Sequence, residues 1–322
     1  QDVFGQAMVR LCNRDSTIVG ITAAMPSGTG LRALEKAMPD RYYDVGIAEE
    51  HAVIFACGMA TMGFHPVCAI YSSFMQRAYD CVIHDAALQE LPVILCMDRA
   101  GLSASDGPTH HGLFDIAFLR CVPNLIAMQP KDEDELVDMM FTATHQRWPV
   151  AIRYPRGPAL GVPVKDQPAL LPIGSGEVTR PFSMEGGRKV ALFGLGNMHA
   201  LARDTADLLA REGFDVAVVN PRFIKPLDAG LHEFFGRTAD VLLTFEDHAL
   251  AGGYGSAVLE LLAERGVTTP LVRLGWPDQF IEHASSAEEL RHKYGLTAEN
   301  AAQKARDAFL APATLRLPAA VA

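Results

Sequence analysis

The sequence predicts an α/β protein made of two doubly wound, mostly parallel-sheet domains. Short apolar runs alternate with segments of helical character along most of the 322 residues, which is the order expected of βαβ units. The apolar runs are continuous rather than alternating, as in strands that are covered on both faces of a parallel sheet. A single stretch rich in proline and glycine interrupts this order and divides the chain.

The first domain is predicted over residues 1–158. Its predicted strands are, in order, STIVGITAAM, HPVCAIYS, LPVILCMD, NLIAMQP and PVAIRYP. Its predicted helices are GLRALEKAM, EEHAVIFACGMATMG, SFMQRAYDCVIHDAALQ and DEDELVDMMFTATH. The short β-type runs have strand length, and the longer segments between several of them are suited to cover the sheet.

A linker is predicted over residues 159–187, because proline and glycine are dense there and no helical period survives. The α/β order then resumes, and a second domain is predicted over residues 188–322. Its strands are predicted at RKVALFGLG, FDVAVVNP, ADVLLTFED and TTPLVRLGW, and its first helix at HALARDTADLLAREG.

Composition restricts the class of function. The formal net charge of −10 argues against general binding to nucleic acid or to an anionic membrane. No apolar run approaches the ~18 residues that cross a bilayer, and no signal peptide is evident. The six cysteines lie in the first 125 residues without a CxxC pair, so we expect a reducing, cytoplasmic compartment. The chain begins with Gln rather than Met, which leads us to expect a piece of a longer protein.

Two neighbouring acids open an otherwise apolar helix in DVGIAEEHAVIFACG, residues 44–58. Glu49 and Glu50 suit the first turn of a surface helix, where they meet the positive end of the helix dipole. The rest of the helix has no polar face, so we expect it to be buried all round. Successive side chains point about 100° apart, so the two glutamates face different partners. A glutamate buried at this point could exchange a proton with a ring nitrogen.

The loop DRAGLSASDGPTHHGLFD, residues 98–115, follows a predicted strand, and such loops bind ligands in open α/β sheets. Arg99 suits a phosphate or carboxylate, while Asp106 and His110 add an acceptor and a titratable group. An ordinary long loop is the alternative. A metal site at His110 and His111 is disfavoured, because neighbouring histidines point apart and no further ligand is suitably spaced.

Two further motifs have a structural and a functional interpretation. In IRYPRG, Arg153 and Arg156 follow a strand and are interpreted either as linker residues or as an anion clamp. In FGLGNMHA, residues 193–200, a G-x-G-x-x-A pattern lacks the acid that a dinucleotide site needs at the end of the next strand. A tight strand-to-helix turn is therefore favoured over a nicotinamide-dependent dehydrogenase.

Taken together, several long segments resemble a known family. DVGIAEEHAV, AIYSSFMQRAYDCVIHDAALQELPV, DRAGLSASDGPTHHGLFD and RYPRG are similar to the second domain of the 1-deoxy-D-xylulose-5-phosphate synthases. TFEDHALAGGYGSAVLELLAE and GWPDQFIEHASSAEEL resemble the third domain of the same enzymes. These are thiamine-diphosphate-dependent members of the transketolase group. The resemblance implies a transketolase pyrimidine-binding domain followed by a transketolase C-terminal domain.

The resemblance also implies roles for individual residues. Glu49 corresponds to the catalytic glutamate that hydrogen-bonds the aminopyrimidine ring of the cofactor. Phe74, which by itself would be interpreted as a core residue, corresponds to the aromatic that stacks on that ring, and Arg77 to an arginine beside it. His110 is implied to transfer a proton or to hold a carboxylate. The residues implied to line the acceptor substrate and its phosphate are Tyr71, Arg99, Asp106, His110 and Arg156.

The implied reaction condenses pyruvate with glyceraldehyde 3-phosphate to 1-deoxy-D-xylulose 5-phosphate and CO2, in a homodimer on the route to isoprenoid precursors. The family's first domain, with its G-D-G motif for Mg²⁺ and the cofactor diphosphate, has no counterpart in this sequence. We therefore expect the chain to need such a domain in cis or in trans. Two alternatives remain, a β-type subunit of a 2-oxoacid dehydrogenase and a non-catalytic transketolase-like module.

Overall fold

The computed structural model describes residues 1–183 and 187–310. Parts of the predicted linker and of the predicted second domain, residues 184–186 and 311–322, lie outside this range. The described strands are β1 Ile18–Thr22, β2 Tyr42–Asp44, β3 His65–Tyr71, β4 Ile94–Asp98, β5 Ile126–Met128, β6 Val150–Arg153, β7 Glu177–Arg180, β8 Lys189–Gly194, β9 Asp215–Asn220, β10 Phe223–Lys225, β11 Val241–Ala249 and β12 Leu271–Trp276.

The helices surround these strands, and one of them is irregular. The α-helices are α1 Asp2–Arg14, α2 Pro26–Thr29, α3 Arg32–Ala37, α4 Glu49–Thr61, α5 Ser72–Met75, α6 Tyr79–Cys81, α7 Asp115–Arg120, α8 Glu133–Ala143, α9 His199–Arg211, α10 Ala229–Thr238, α11 Tyr254–Glu264, α12 Ala287–Lys293 and α13 Ala298–Leu310. Helices α5 and α6 belong to one helical segment, joined by the 3₁₀ turn Gln76–Ala78 and continued by the π turn Val82–Ala87. Further 3₁₀ turns are Pro39–Arg41 and Gly196–Met198.

The two sheets confirm the predicted α/β class. Within the described residues, the first sheet has the order β10-β5-β6-β4-β3-β1-β2 and the second the order β12-β11-β8-β9-β7. All neighbouring strands are parallel except β10, which is antiparallel to β5, and β7, which is antiparallel to β9. Every residue of β1 and β4 is buried, as expected of continuous apolar runs covered on both faces.

The second half of the chain contributes a strand to the first sheet. After β9 the chain crosses over, and β10 pairs with β5 through Phe223 opposite Met128 and Lys225 opposite Ala127. Phe223 is completely buried among the residues of the first domain's core. Conversely, β7 lies within the range predicted as linker and forms an edge of the second sheet. The second half of the chain thus completes the first sheet, and the predicted linker contributes a strand to the second.

Helix α4 is not buried all round, so that prediction is wrong for this chain. Ala52, Val53 and Ala56 are buried against the sheet, whereas Ile54 is 48% exposed. The neighbouring helical segment likewise exposes Ile83, and Leu88 follows it with 70% exposure. The apolar sequence of a helix predicts that apolar groups cover its surface. It does not predict that these groups belong to the same polypeptide. Among the described helices, none combines the length and the apolar character needed to cross a bilayer.

Candidate active site

The two glutamates of the α4 start have different environments. Asp44, at the end of β2, accepts hydrogen bonds from the Gly46 amide at 3.0 Å and the Ala24 amide at 2.8 Å, which shapes the turn into the helix. The first turn of α4 then directs Glu49 inward, where it is 2% exposed, while Glu50 is exposed. Arg77 donates a hydrogen bond of 2.5 Å to the Glu49 Oε1 atom.

A cluster of aromatic rings lies next to the ion pair of Glu49 and Arg77. The Arg77 guanidinium lies 4.7 Å from the centre of the half-buried Phe74 ring. The Tyr71 ring stacks on Phe74 at 5.4 Å between centroids, and His110 approaches the edge of Phe74 at 5.1 Å. Phe74 is thus only partly inserted into the core, and it connects the Glu49 region with the loop that carries His110.

Arg99 is the first residue after β4, and several contacts hold its guanidinium group in place. Its guanidinium lies 3.6 Å from the centre of the Tyr71 ring, and Nη1 donates to the Asp98 carboxylate at 2.8 Å and to the Gly28 carbonyl at 2.9 Å. Arg99 itself is 6% exposed. A Cβ atom at Gly28 would lie 1.7 Å from the Tyr71 hydroxyl oxygen, so this close approach requires glycine.

Asp106 contacts both Arg99 and Arg156, the two arginines that the family resemblance implies for the acceptor phosphate. The Asp106 Oδ2 atom lies 3.4 Å from Arg99 Nε and accepts a hydrogen bond from the Ser103 hydroxyl at 2.8 Å, and Arg156 also donates to the carboxylate. Partial burial acts to raise the pKa of Asp106, but the hydrogen bonds from Arg156 and Ser103 and the nearby charges lower it to about 2. Asp106 is therefore ionised at neutral pH.

Two backbone hydrogen bonds join the two ends of the loop between β4 and α7. The amide of Gly101 donates to the Gly112 carbonyl, and the amide of Gly112 donates to the Gly101 carbonyl, each at 2.8 Å. His110 lies near the tip, with its Nδ1 atom 2.9 Å from the Thr109 hydroxyl. We call residues 101–112 the acceptor loop from here on.

Arg153 and His111, which the sequence analysis considered for an anion clamp and a metal site, are instead buried and bonded within the protein. Arg153 is 1% exposed and forms an ion pair with Asp115 at 2.9 Å, so its interpretation as part of an anion clamp is wrong. His111 is buried and accepts a hydrogen bond from the Ser103 amide at 3.1 Å, and burial lowers the pKa of this imidazole. In residues 1–183 and 187–310, no group of histidine, cysteine or carboxylate side chains has the geometry of a metal site.

The residue that the sequence reasoning missed is Asp98. It is completely buried at the end of β4, and burial raises its pKa to about 6 in spite of the neighbouring Arg99. Its carboxylate holds the guanidinium that stacks on Tyr71. The signal available in the sequence was the acid immediately before Arg99 at a strand end.

Comparison with known proteins gives the class of the chain. Residues 1–159 match the family model described as the transketolase pyrimidine binding domain, and residues 183–301 match the one described as the transketolase C-terminal domain. The chain therefore belongs to the transketolase family.

Within that family the resemblance inferred from the quoted segments is confirmed. The chain is 56% identical over 303 residues to the 1-deoxy-D-xylulose-5-phosphate synthase of Methylacidiphilum infernorum, covering 94% of this chain and 47% of that protein. It is 53% identical to the synthase of Acidobacterium capsulatum, with the same coverage. The chain thus spans about half the length of the curated relatives it matches.

A solved structure shares both domains. It is described as a split gene transketolase, inactive beta4 tetramer, and is 30% identical to this chain. The two structures superpose with a TM-score of 0.84 over 96% of this chain and 97% of the other. The agreement over nearly the whole of both chains supports the transketolase fold for the two domains and their arrangement.

Proposed function

We propose that this chain is the pyrimidine-binding and C-terminal part of a thiamine-diphosphate-dependent 1-deoxy-D-xylulose-5-phosphate synthase. The complete enzyme would condense pyruvate with glyceraldehyde 3-phosphate to 1-deoxy-D-xylulose 5-phosphate and CO2. The observation that carries the proposal is the continuous group of contacts from Glu49 through Arg77 and Phe74 to His110 and the acceptor loop. It combines the side chains of a cofactor site with those of a phosphate site.

The residues present fit the ring of the cofactor. Glu49 is a buried carboxylate, and the half-buried aromatic side chain of Phe74 lies in the same cluster, a combination that suits a flat nitrogen heterocycle. When bound, thiamine diphosphate would supply the carbon nucleophile of the reaction. Glu49 would exchange a proton with the pyrimidine ring nitrogen, and Phe74 would hold the ring by stacking. Ligands for Mg²⁺ and for the diphosphate are proposed to come from a domain outside this chain.

The acceptor end of the site has the charge pattern of a phosphate site. Arg99 and Arg156 both contact Asp106, so their guanidinium groups lie close together although both are cations. A phosphate dianion would bind to these two arginines, because a guanidinium group donates two parallel hydrogen bonds to such an anion. His110 has its Nδ1 atom beside Thr109, and its Nε2 atom would serve proton transfer to the substrate.

The exposed apolar side chains indicate that further protein covers this chain. Ile54 on α4 and Ile83 in the adjacent helical segment are both at least 38% exposed. We propose that a second copy of the chain, in a homodimer, and the additional cofactor-binding domain, in cis or in trans, cover these surfaces. The solved structure described as a split gene transketolase, inactive beta4 tetramer, is covered to 97% by this chain, and this supports a supply of the additional domain in trans.

The test compares Glu49→Gln with Glu50→Gln in the complete enzyme, with the missing half supplied in the same chain or as a partner. The two residues are neighbours in one helix turn, but only Glu49 is buried. We expect Glu49→Gln to lower kcat at least about a hundredfold, as for the loss of a general acid–base group, and Glu50→Gln to leave it nearly unchanged. Nearly intact turnover in Glu49→Gln would refute the assignment. Activity with lipoamide instead of glyceraldehyde 3-phosphate would favour the 2-oxoacid dehydrogenase alternative.

A further inference from the structure

Asp247, near the end of β11 in the C-terminal domain, is a completely buried carboxylate with an unusually full set of partners. Its Oδ1 atom accepts a hydrogen bond from Trp276 Nε1 at 2.8 Å. Its Oδ2 atom accepts from Asn197 Nδ2 at 2.7 Å and lies 3.2 Å from Arg291 Nη2. Burial acts to raise the pKa of Asp247, but the charge of Arg291 and these hydrogen bonds hold it below the usual value. The carboxylate is therefore ionised and fixed in position.

One partner of this carboxylate comes from the other domain. The backbone amide of Leu102, the second residue of the acceptor loop, donates to Asp247 Oδ1 at 3.1 Å. The preceding residue, Gly101, has a φ of +87°, and a Cβ atom there would lie 2.5 Å from the Asp247 Cγ atom. The loop therefore turns directly against Asp247, in a backbone conformation that favours glycine.

The backbone around Asp247 makes a second connection to the same loop. Arg153 donates from Nη2 to the Asp247 carbonyl at 3.1 Å and to the Gly112 carbonyl at 3.3 Å. Both ends of the acceptor loop are thus tied to Asp247, one through its side chain and the other through Arg153. The residues between these ends include Ser103 and Asp106, which contact each other and connect to Arg99 and Arg156.

We propose that Asp247 is a positioning residue, through which the C-terminal domain holds the acceptor loop, and with it His110, beside Arg99 and Arg156. The proposal deepens the proposed function, because it assigns to the C-terminal domain a part in binding the phosphorylated acceptor. Asp247 itself does not touch the substrate and acts only through the loop.

The test measures the loop directly, by hydrogen–deuterium exchange of residues 101–112 in this chain. Asp247→Asn keeps the shape of the side chain but weakens the acceptor for the Leu102 amide. We expect exchange in the loop to become about tenfold faster, as for the loss of one charge-assisted hydrogen bond. Trp276→Phe is the matched control, because it removes a different donor to the same oxygen, at 2.8 Å, and leaves the Leu102 hydrogen bond in place.

Gly101→Ala is the second variant, in case Asp247→Asn does not fold. Its methyl group displaces the loop from Asp247 without changing the carboxylate, and we expect the same faster exchange. Unchanged exchange of the loop in a folded Asp247→Asn or Gly101→Ala variant would overturn the proposal, whatever the enzyme catalyses.

Kinetics of the complete enzyme provide the second readout. We expect Asp247→Asn to raise KM for glyceraldehyde 3-phosphate about tenfold and to leave KM for pyruvate within about twofold. An equal rise in both KM values would contradict a specific effect on the acceptor. If the complete enzyme catalyses no condensation at all, the proposed function fails, but the exchange measurement still decides whether Asp247 positions the loop.

Discussion

Arg77 donates a 2.5 Å hydrogen bond to Glu49, and the two partners differ greatly in exposure: Arg77 is 53% exposed, whereas Glu49 is 2% exposed. The guanidinium group of Arg77 can therefore stay partly hydrated while it neutralises the Glu49 carboxylate, which is too deeply buried to be hydrated. This asymmetry makes the arginine, rather than water, the main partner of the glutamate.

The pair should show energetic coupling in a double-mutant cycle. Removing only the cation, by Arg77→Gln, leaves the buried Glu49 carboxylate without its charged partner. Adding Glu49→Gln to the same protein removes the unpaired charge. We expect a coupling free energy of about 1 kcal/mol, reduced from that of a fully buried pair because Arg77 is half exposed. Urea unfolding of the four proteins measures it. Additive effects would show that the contact contributes nothing to folding.

Asp106 should compete with phosphate for the two arginines. Because its carboxylate contacts both Arg99 and Arg156, Asp106→Asn is expected to strengthen binding of inorganic phosphate to this chain about tenfold. Isothermal titration calorimetry at constant ionic strength measures the affinity. The double variant Asp106→Asn/Arg156→Gln is the control and should lose the gain. Weaker phosphate binding in Asp106→Asn would contradict this account.

Glu246 should make folding stability depend on pH. It is completely buried in β11 and accepts hydrogen bonds from two amides at the start of α11, those of Tyr254 at 2.6 Å and Gly255 at 3.0 Å. Burial raises its pKa from 4.5 to about 7 in spite of those hydrogen bonds. Between these two values the unfolded chain releases the proton and the folded chain keeps it, so the contribution to stability is full below pH 4.5 and is lost as the pH rises through 7.

The corresponding measurement compares the wild type with Glu246→Gln, which cannot titrate. As the pH rises from about 5 to 8, the wild type should lose about 3 kcal/mol of unfolding free energy relative to the variant. Urea unfolding at a series of pH values gives both curves. Other titrating groups are the same in the two proteins and cancel. Parallel curves would mean that Glu246 has its ordinary pKa in the folded state.

The exposed apolar side chains of the α4 region should drive association. Ile54 and Ile83 are 48% and 38% exposed on adjacent helices, and burial of such side chains is favourable. We expect Ile54→Lys/Ile83→Lys to shift this chain toward the monomer, measured by sedimentation velocity. Leu259, which is 41% exposed on α11, provides the control, and Leu259→Lys should leave the association unchanged. Equal effects of the two substitutions would show that no particular surface is involved.

The fold class could be predicted because it depends on local patterns. Continuous apolar runs such as those of β1 and β4 indicate strands covered on both faces, and the structure confirms them. The three-residue strand β10 has no such signal, because its pairing with β5 connects residues 223 and 128, which are distant in sequence. Helix α1 was not predicted either, although Phe4, Met8 and Leu11 bury one of its faces.

The site was less accessible to sequence reasoning, because its contacts join distant residues. Glu49 and Arg77 are 28 positions apart, and only the family resemblance brought them together before the structure did. The interpretation of Arg153 failed for a related reason. An arginine at a strand end has the same local pattern whether it faces solvent or an acid such as Asp115, which is 38 positions away.

The crossing of β10 into the first sheet also limits how the chain can be divided. A protein cut at the predicted linker would leave the polar groups along one side of β5 without the partner that Phe223–Lys225 provides. Such an open edge invites strands from other molecules, so the isolated first half should aggregate. The first half of the chain therefore depends on the second half to complete its sheet, so the two halves are expected to remain in one polypeptide.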